Sequence, residues 1–184
     1  FSTSVGIYAN PLNEGVDWER PCSVELIYPD GSKGFRINAG VRIQGAYGRT
    51  PMFKKHSFRL LFKSDYGPTK LSYPLFGDDA ADEFDTITLR ANFNDSWHNL
   101  NHNSTIYCDR AQFIRDEWMR ASQIAMGQVG SHGMFVHLYV NGLYWGLYNP
   151  VERPAASFAA TYYDGDKDEY DALNSNEVVD GNRD

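Results

Sequence analysis

The chain has 184 residues, 42% of them hydrophobic and 15% aromatic, and its 24 Asp and Glu outnumber 17 Lys and Arg to give a net charge of −7. That length suits one domain around one core, and that hydrophobic content excludes a disordered chain. No apolar run approaches the ~20 residues a bilayer span needs, and the negative balance argues against a nucleic-acid partner, since phosphodiester backbones would repel it.

Cys22 and Cys108 are the two cysteines. They are too few for a four-ligand zinc site and do not form a C-x-x-C redox pair. Bridged, they would close a long loop worth about 4 to 5 kcal/mol of chain entropy and place the protein in an oxidising compartment; two unrelated buried thiols is the other reading. The tripeptides Asn94-Asp95-Ser96 and Asn103-Ser104-Thr105 are N-x-S/T sequons that fit a surface loop. A start at Phe1 and an end at Asn182-Arg183-Asp184 without a terminal element lead us to expect a segment of a longer secreted or envelope protein.

In chain order, residues 23–28 alternate into a turn at Pro29-Asp30-Gly31-Ser32, and residues 35–45 return from it, which predicts a hairpin. Its second arm places Ile37, Ala39, Val41 and Ile43 on one face and Arg36, Asn38, Arg42 and Gln44 on the other, so one face of the sheet must be polar. Residues 56–63 repeat the alternation, with Phe58, Leu60 and Phe62 opposite Ser57, Arg59, Leu61 and Lys63. Residues 84–92 read as a fourth strand after a loop over residues 70–83. Ile114, Trp118, Ala121 and Ala125 recur at helical spacing before Gly127, predicting one long buried helix over residues 105–126. Asn141-Gly142 between two strand-like runs is a hairpin signal, and Pro154 opens a short helix reaching Tyr163. An acidic loop at residues 164–168 and a short strand near residues 170–173 complete the pattern. Antiparallel strands around one long central helix make an α+β fold, one domain over residues 1–184.

The chain contains no G-x-x-x-x-G-K-S/T, H-E-x-x-H, G-x-S-x-G or G-x-G-x-x-G motif at the required place. His98 and His102 have the spacing of helical metal ligands but sit in an Asn-rich stretch without a carboxylate base; His56, His132 and His137 are isolated and read as structural. A stronger signal is the cluster Arg42, Arg49, Lys54, Lys55, Arg59 and Lys63 around Gly40, Gly45 and Gly48, which outlines an anion site; a solvated sheet face is the bland alternative. Asn92, Asn94, Asp95, Glu152, Asp164, Asp166, Asp168, Asp171 and Asp180 are oxygen-bearing side chains suited to Mg²⁺ or Ca²⁺. Residues 164–175 lack the Gly and Glu of a calcium loop, having Glu169 and Ser175 there.

The ordered blocks GVRIQG, KKHSFRLLFK, LSYPLFGD, FDTITLRANFNDSW, RAQFIRDEWMRASQ, HGMFVHLYVNGLYWGLYNPVERP and YDGDKDEYDAL resemble the CotH kinase family, named for spore coat protein H, over nearly the whole chain. The resemblance implies an atypical protein-kinase-like fold that binds ATP with Mg²⁺ and phosphorylates serine on coat or surface proteins, in a spore coat, at a cell surface or outside the cell. By position, it implies a phosphate clamp of Arg42, Lys54, Lys55 and Arg59, with Arg59, Glu152 and Asp171 in catalysis and Asp171 and Asp95 as metal ligands. The family often has an Asp soon after its E-R-P, where Ala155 and Ala156 stand, and a Lys where Asn174 stands; a full family domain continues past Asp184, so the segment is expected to be truncated at its C-terminal end. Two other readings compete: a non-catalytic surface adhesion or structural module on the same scaffold, and carbohydrate binding by Tyr139, Tyr144, Trp145 and Tyr148, whose core-packing alternative is the commoner one.

Overall fold

The computed structural model describes residues 3–96, 110–174 and 176–181. Among them the strands are β1 (Arg20–Ile27), β2 (Lys33–Gln44), β3 (Ser57–Leu61), β4 (Leu71–Ser72), β5 (Glu83–Phe84), β6 (Thr86–Arg90), β7 (Val136–Val140), β8 (Leu143–Glu152), β9 (Ala172–Asn174) and β10 (Glu177–Asp180), and the helices are α1 (Arg115–Ala125) and α2 (Ala156–Tyr163). Six strands form one antiparallel sheet in the order β1-β2-β3-β6-β8-β7, curled into a half-barrel; β4-β5 and β9-β10 are separate two-stranded ribbons. Both predicted hairpins are present. Asp30 accepts from the Ser32 N–H and hydroxyl in the β1-β2 turn, and Asn141 and Gly142 both take positive φ, as the β7-β8 turn requires.

The register decides the two faces. Val41, Leu60, Ile87 and Glu152 stand in one cross-strand row, while Arg42, Arg59, Thr88 and Val151 form the next row on the opposite face. Ala39, Ile43, Phe58, Leu60, Phe62, Ile87, Leu89 and Tyr148 line the buried face, joined by Leu71 and Phe84 from the β4-β5 ribbon and by partly buried Ile7, Tyr8, Tyr73, Leu75 and Phe76. Among the described residues the core is therefore closed by irregular segments and not by a helix. Arg49, buried at the turn after β2, holds the first of these in place: it donates to the carbonyls of Pro11 (2.7 Å) and Asn13 and pairs with Glu14 at 2.6 Å. It is a fold residue, not part of a free cation cluster.

The expected long, central, buried helix is wrong. Among the described residues α1 is eleven residues long and has no buried residue, and Phe113 takes φ 64°, a value no helix can pass through. Residues 105–109 of the expected helix lie outside the described residues. The apolar spacing is real but points outward, with Ile114 51% and Trp118 64% exposed. The reason is the sheet face beneath: α1 lies on the polar face and docks through Glu117 and Arg120, both of which bond Asn149 of β8. The architecture is a half-barrel sheet with two short helices, and no helix is long and apolar enough to cross a membrane among the described residues.

Ile87 is 1% exposed at the centre of the sheet. Ile87→Ala is expected to lower the unfolding free energy by about 2 to 5 kcal/mol through lost burial and a residual cavity; urea unfolding with an unchanged slope and an earlier midpoint checks this.

Candidate functional site

The polar face of the sheet carries a cluster of cations. Arg42 and Arg59 are direct cross-strand partners, and Arg153, just past β8, joins them. The Arg59 Nε donates to Thr86 Oγ1 at 3.0 Å, and Thr86 in turn donates to the Leu60 carbonyl at 2.6 Å, so Arg59 is held by a side chain that is itself held. Burial pulls the Arg59 guanidinium down to about 10, and the positive charges of Arg153 and Arg42 push the same way, against the weaker pull of Asp180 and Glu19. Arg153 is lowered by burial first and by Arg42 as well, with Asp180 opposing. The cluster is short of negative charge.

Glu19 fixes one side of it. Its carboxylate is 2% exposed and takes Lys63 at 2.6 Å, Arg42 at 3.4 Å and the Tyr66 hydroxyl at 3.1 Å. Gly40 is what lets Tyr66 reach it, because a β-carbon at Gly40 would overlap the Tyr66 ring. On the other side stands Asp180, at the end of β10, whose Oδ2 accepts the first N–H of α2, from Ala156, at 3.1 Å. That bond supplies the cap that Ala155 has no side chain to provide.

Two clefts meet at Glu152 and Arg153. One, of about 760 Å³, runs between the ends of β3 and β5 and helix α2, with Lys63, Lys70, Phe158 and Tyr162 among its walls. The other, of about 320 Å³, lies on the polar face between the Gly45–Gly48 turn, Asn92 to Asn94 and Arg120 of α1. Gly48 is closed to any larger residue, since a β-carbon there would lie 2.7 Å from the Phe93 ring.

Of the residues singled out from sequence, Arg42 and Arg59 come together, with Lys63 sharing Glu19 with Arg42 and Asp180 facing them, while Lys54, Lys55 and Asp95 are engaged elsewhere. Lys55 points elsewhere: its Nζ donates to the Leu147 carbonyl and lies 4.4 Å from the Tyr148 ring centroid and 4.6 Å from that of Phe113. Burial lowers it to about 8. Lys54 is exposed and gives only its carbonyl, to the Tyr8 hydroxyl at 2.6 Å. Asp95 pairs with Arg115 at 3.3 Å and accepts from the Gln112 N–H at 3.1 Å, tying down the approach to α1. Asp171 is exposed at the start of β9, its Oδ1 beside Gly181. Glu152 is 2% exposed and fully engaged: it accepts from the His132 N–H at 2.7 Å and the Tyr162 hydroxyl at 2.8 Å, with His132 Nδ1 at 3.0 Å. Its carboxylate ties α2 and the segment before β7 to the sheet. His98, His102, Cys108 and Asn103 lie outside the described residues, and Cys22 is a free thiol whose Sγ faces the Ala39 carbonyl. Tyr139 and Tyr144 are exposed, whereas Tyr148 is buried and Trp145 packs against the core.

Sequence reasoning missed Arg153, though it stands in the Glu152-Arg153-Pro154 block, and it weighed Asp180 only as one of several tail acids. A model of the CotH kinase family, described as CotH kinase protein, matches residues 41–182. The chain belongs to the CotH kinase family. That match spans Arg42, Arg59, Glu152-Arg153 and the β9-β10 ribbon, while Glu19 and β1 lie before it. No curated protein matches the chain. Among the described residues, no group of three or more His, Cys, Asp or Glu could hold a metal ion in this CotH-family domain.

The Lys55 amine sets a pH dependence. Its folded value near 8 lies below the 10.5 of a free lysine, so between the two the unfolded chain binds more protons and stability rises with pH. Lys55→Met is expected to flatten that rise. Denaturant unfolding of both proteins from pH 7 to 10 checks it, parallel curves being the contrary result.

Proposed function

We propose that this CotH-family domain is a phosphotransferase that moves the terminal phosphoryl group of ATP to serine hydroxyls of a coat or surface protein, with Mg²⁺ as cofactor. The observation that carries the reading is the cluster of Arg42, Arg59 and Arg153, only partly neutralised by Glu19 and Asp180, on a partly buried sheet face of an otherwise acidic protein. Directly opposed like charges destabilise a sheet, and a polyanion between them reverses the sign of that term. Phosphoryl transfer asks a protein mainly for such a clamp and for a held hydroxyl.

Each residue has a role in this reading. Arg42, Arg59 and Arg153 bind phosphate oxygens, and Glu19 with Thr86 keeps two of the guanidiniums aimed. Glu152 acts as a positioning residue, fixing the strand end from which Arg153 projects. A nucleotide-bound Mg²⁺ needs only one or two protein carboxylates, and Asp171 and Asp180, brought to one end of the β9-β10 ribbon, are the residues that would hold it. When bound, the metal would neutralise phosphate charge. The larger cleft, with Phe158 and Tyr162 in its wall, has room for the nucleoside. A spore coat, cell surface or extracellular location goes with the family rather than with any feature of the fold.

Labelled ATP with the full chain and a serine-bearing coat or surface protein tests the reading. Transfer should fall about 100-fold or more in Arg59→Ala, a loss typical of removing one donor to a reacting oxyanion. Equal transfer by the wild type and an Arg42→Ala, Arg59→Ala double variant would sink it. A folded chain that binds no nucleotide would instead favour the adhesion or structural module.

A further inference from the structure

The six-stranded sheet ends on β1 at one side and on β7 at the other. The first of these edges is guarded against pairing with another chain, since Arg20, Pro21 and Glu25 lie along it. The second is not. β7 reads Val-His-Leu-Tyr-Val, without Pro, Lys, Arg, Asp or Glu. Its register with β8 runs Val136 to Tyr148, His137 to Leu147 and Leu138 to Gly146, then Tyr139 to Tyr144, so the residue passed over, Trp145, belongs to β8 and β7 itself has no bulge. Among the described residues the β7 backbone bonds to β8 alone, which leaves a row of N–H and C=O groups along its outer edge.

The surroundings select what covers that edge. Residues 121–151 contain no Asp, Glu, Lys or Arg, in a chain that is 22% charged and carries −7 overall. Two copies of so acidic a chain repel each other, and the β7-β8 hairpin is where they approach without setting like charges together. Tyr139 is 62%, Leu143 62% and Tyr144 55% exposed there; the rings of Tyr139 and Tyr144 lie 5.3 Å apart, and His137 Nδ1 is 2.9 Å from the Tyr144 hydroxyl.

The strand is also its own antiparallel complement. Turned end for end, Val-His-Leu-Tyr-Val becomes Val-Tyr-Leu-His-Val. A two-fold axis at Leu138 therefore sets Val136 against the partner's Val140, His137 against the partner's Tyr139, and Leu138 against the partner's Leu138. Aliphatic side chains meet on the face where Val136 and Leu138 already pack on the core, and rings meet on the exposed face of His137 and Tyr139. Such cross-strand pairs stabilise antiparallel sheets. A second copy supplies the match by symmetry, whereas an unrelated strand has to bring it.

We propose that β7 is a homodimer interface, in which two copies of this chain pair β7 with β7 in antiparallel register about Leu138 and join their sheets into one. The contact is isologous and closes on itself, with the guarded β1 left at both ends. No β7 residue lines either cleft described above, so the proposal does not rest on the transfer reading.

Light scattering or sedimentation of the full chain over a wide concentration range, without nucleotide or metal, tests this together with hydrogen exchange at the two ends of that range. The mass should pass from that of one chain to that of two, and the β7 amides should exchange more slowly in the dimer. Tyr139→Glu sets a charge on the edge strand near its symmetry mate and should raise the dissociation constant about ten-fold or more, while Tyr139→Phe should leave it within about two-fold of the wild type. If the Glu variant does not fold, the exchange pattern of the unaltered protein decides. A chain that stays monomeric throughout, a dimer whose β7 amides exchange as fast as in the monomer, or β7 protection that arises only when a different protein is added overturns the proposal.

Discussion

Two guanidinium groups placed opposite each other on neighbouring strands are the constraint around which this molecule is organised. Antiparallel pairing sets Arg42 directly against Arg59, and Arg153 adds a third positive charge to the same partly buried surface. Like charges at opposed positions work against the sheet. They persist because their surroundings hold them: Glu19, nearly inaccessible, takes Arg42 and Lys63 together, Thr86 takes Arg59, and Asp180 reaches over from the C-terminal ribbon. Each of those partners depends on a further local choice, such as the glycine at position 40 that admits Tyr66.

The same polarity explains the odd docking of α1. A helix laid on an apolar sheet face would turn its own apolar stripe inward. Here the surface beneath offers Asn149 and Arg90, so the helix presents Asp116, Glu117 and Arg120 to it and leaves Trp118 and Met119 to solvent. Asn149, fully buried, is the hinge of this contact, with its amide shared between Glu117 and the Met134 carbonyl. Glu152 does for α2 what Asn149 does for α1, since His132 and Tyr162 converge on its carboxylate. Glu152, offered by the resemblance as a catalytic candidate, and Asp95, offered as a metal ligand, both make bonds that join segments far apart in the chain.

Much of the sheet is legible in the sequence because strand periodicity is a local property. The alternation through residues 35–45 and 56–63 sorts core from polar face on residue order alone, and both hairpins follow from turn residues whose φ preferences are intrinsic. The helix is misjudged from sequence for the opposite reason. Spacing of apolar residues reports amphipathicity but not which side is covered, and the cover depends on what the neighbouring surface is made of. Lys55 misleads similarly: its place in a run of basic residues suggests a ligand contact, yet the chain turns it under Leu147 and between two rings.

By itself, then, the amino-acid order determined an antiparallel sheet with an arginine-bearing polar face, the positions of its tight turns, and its family, since each of these is written in residue types at short separation. Which charges would meet was decided only by tertiary structure. The pairing of Arg42 with Arg59 needs a register between strands, and the arrival of Arg153 and Asp180 needs a return of the chain from more than ninety residues away. Contacts of that range follow from packing and loop closure, which no local pattern encodes.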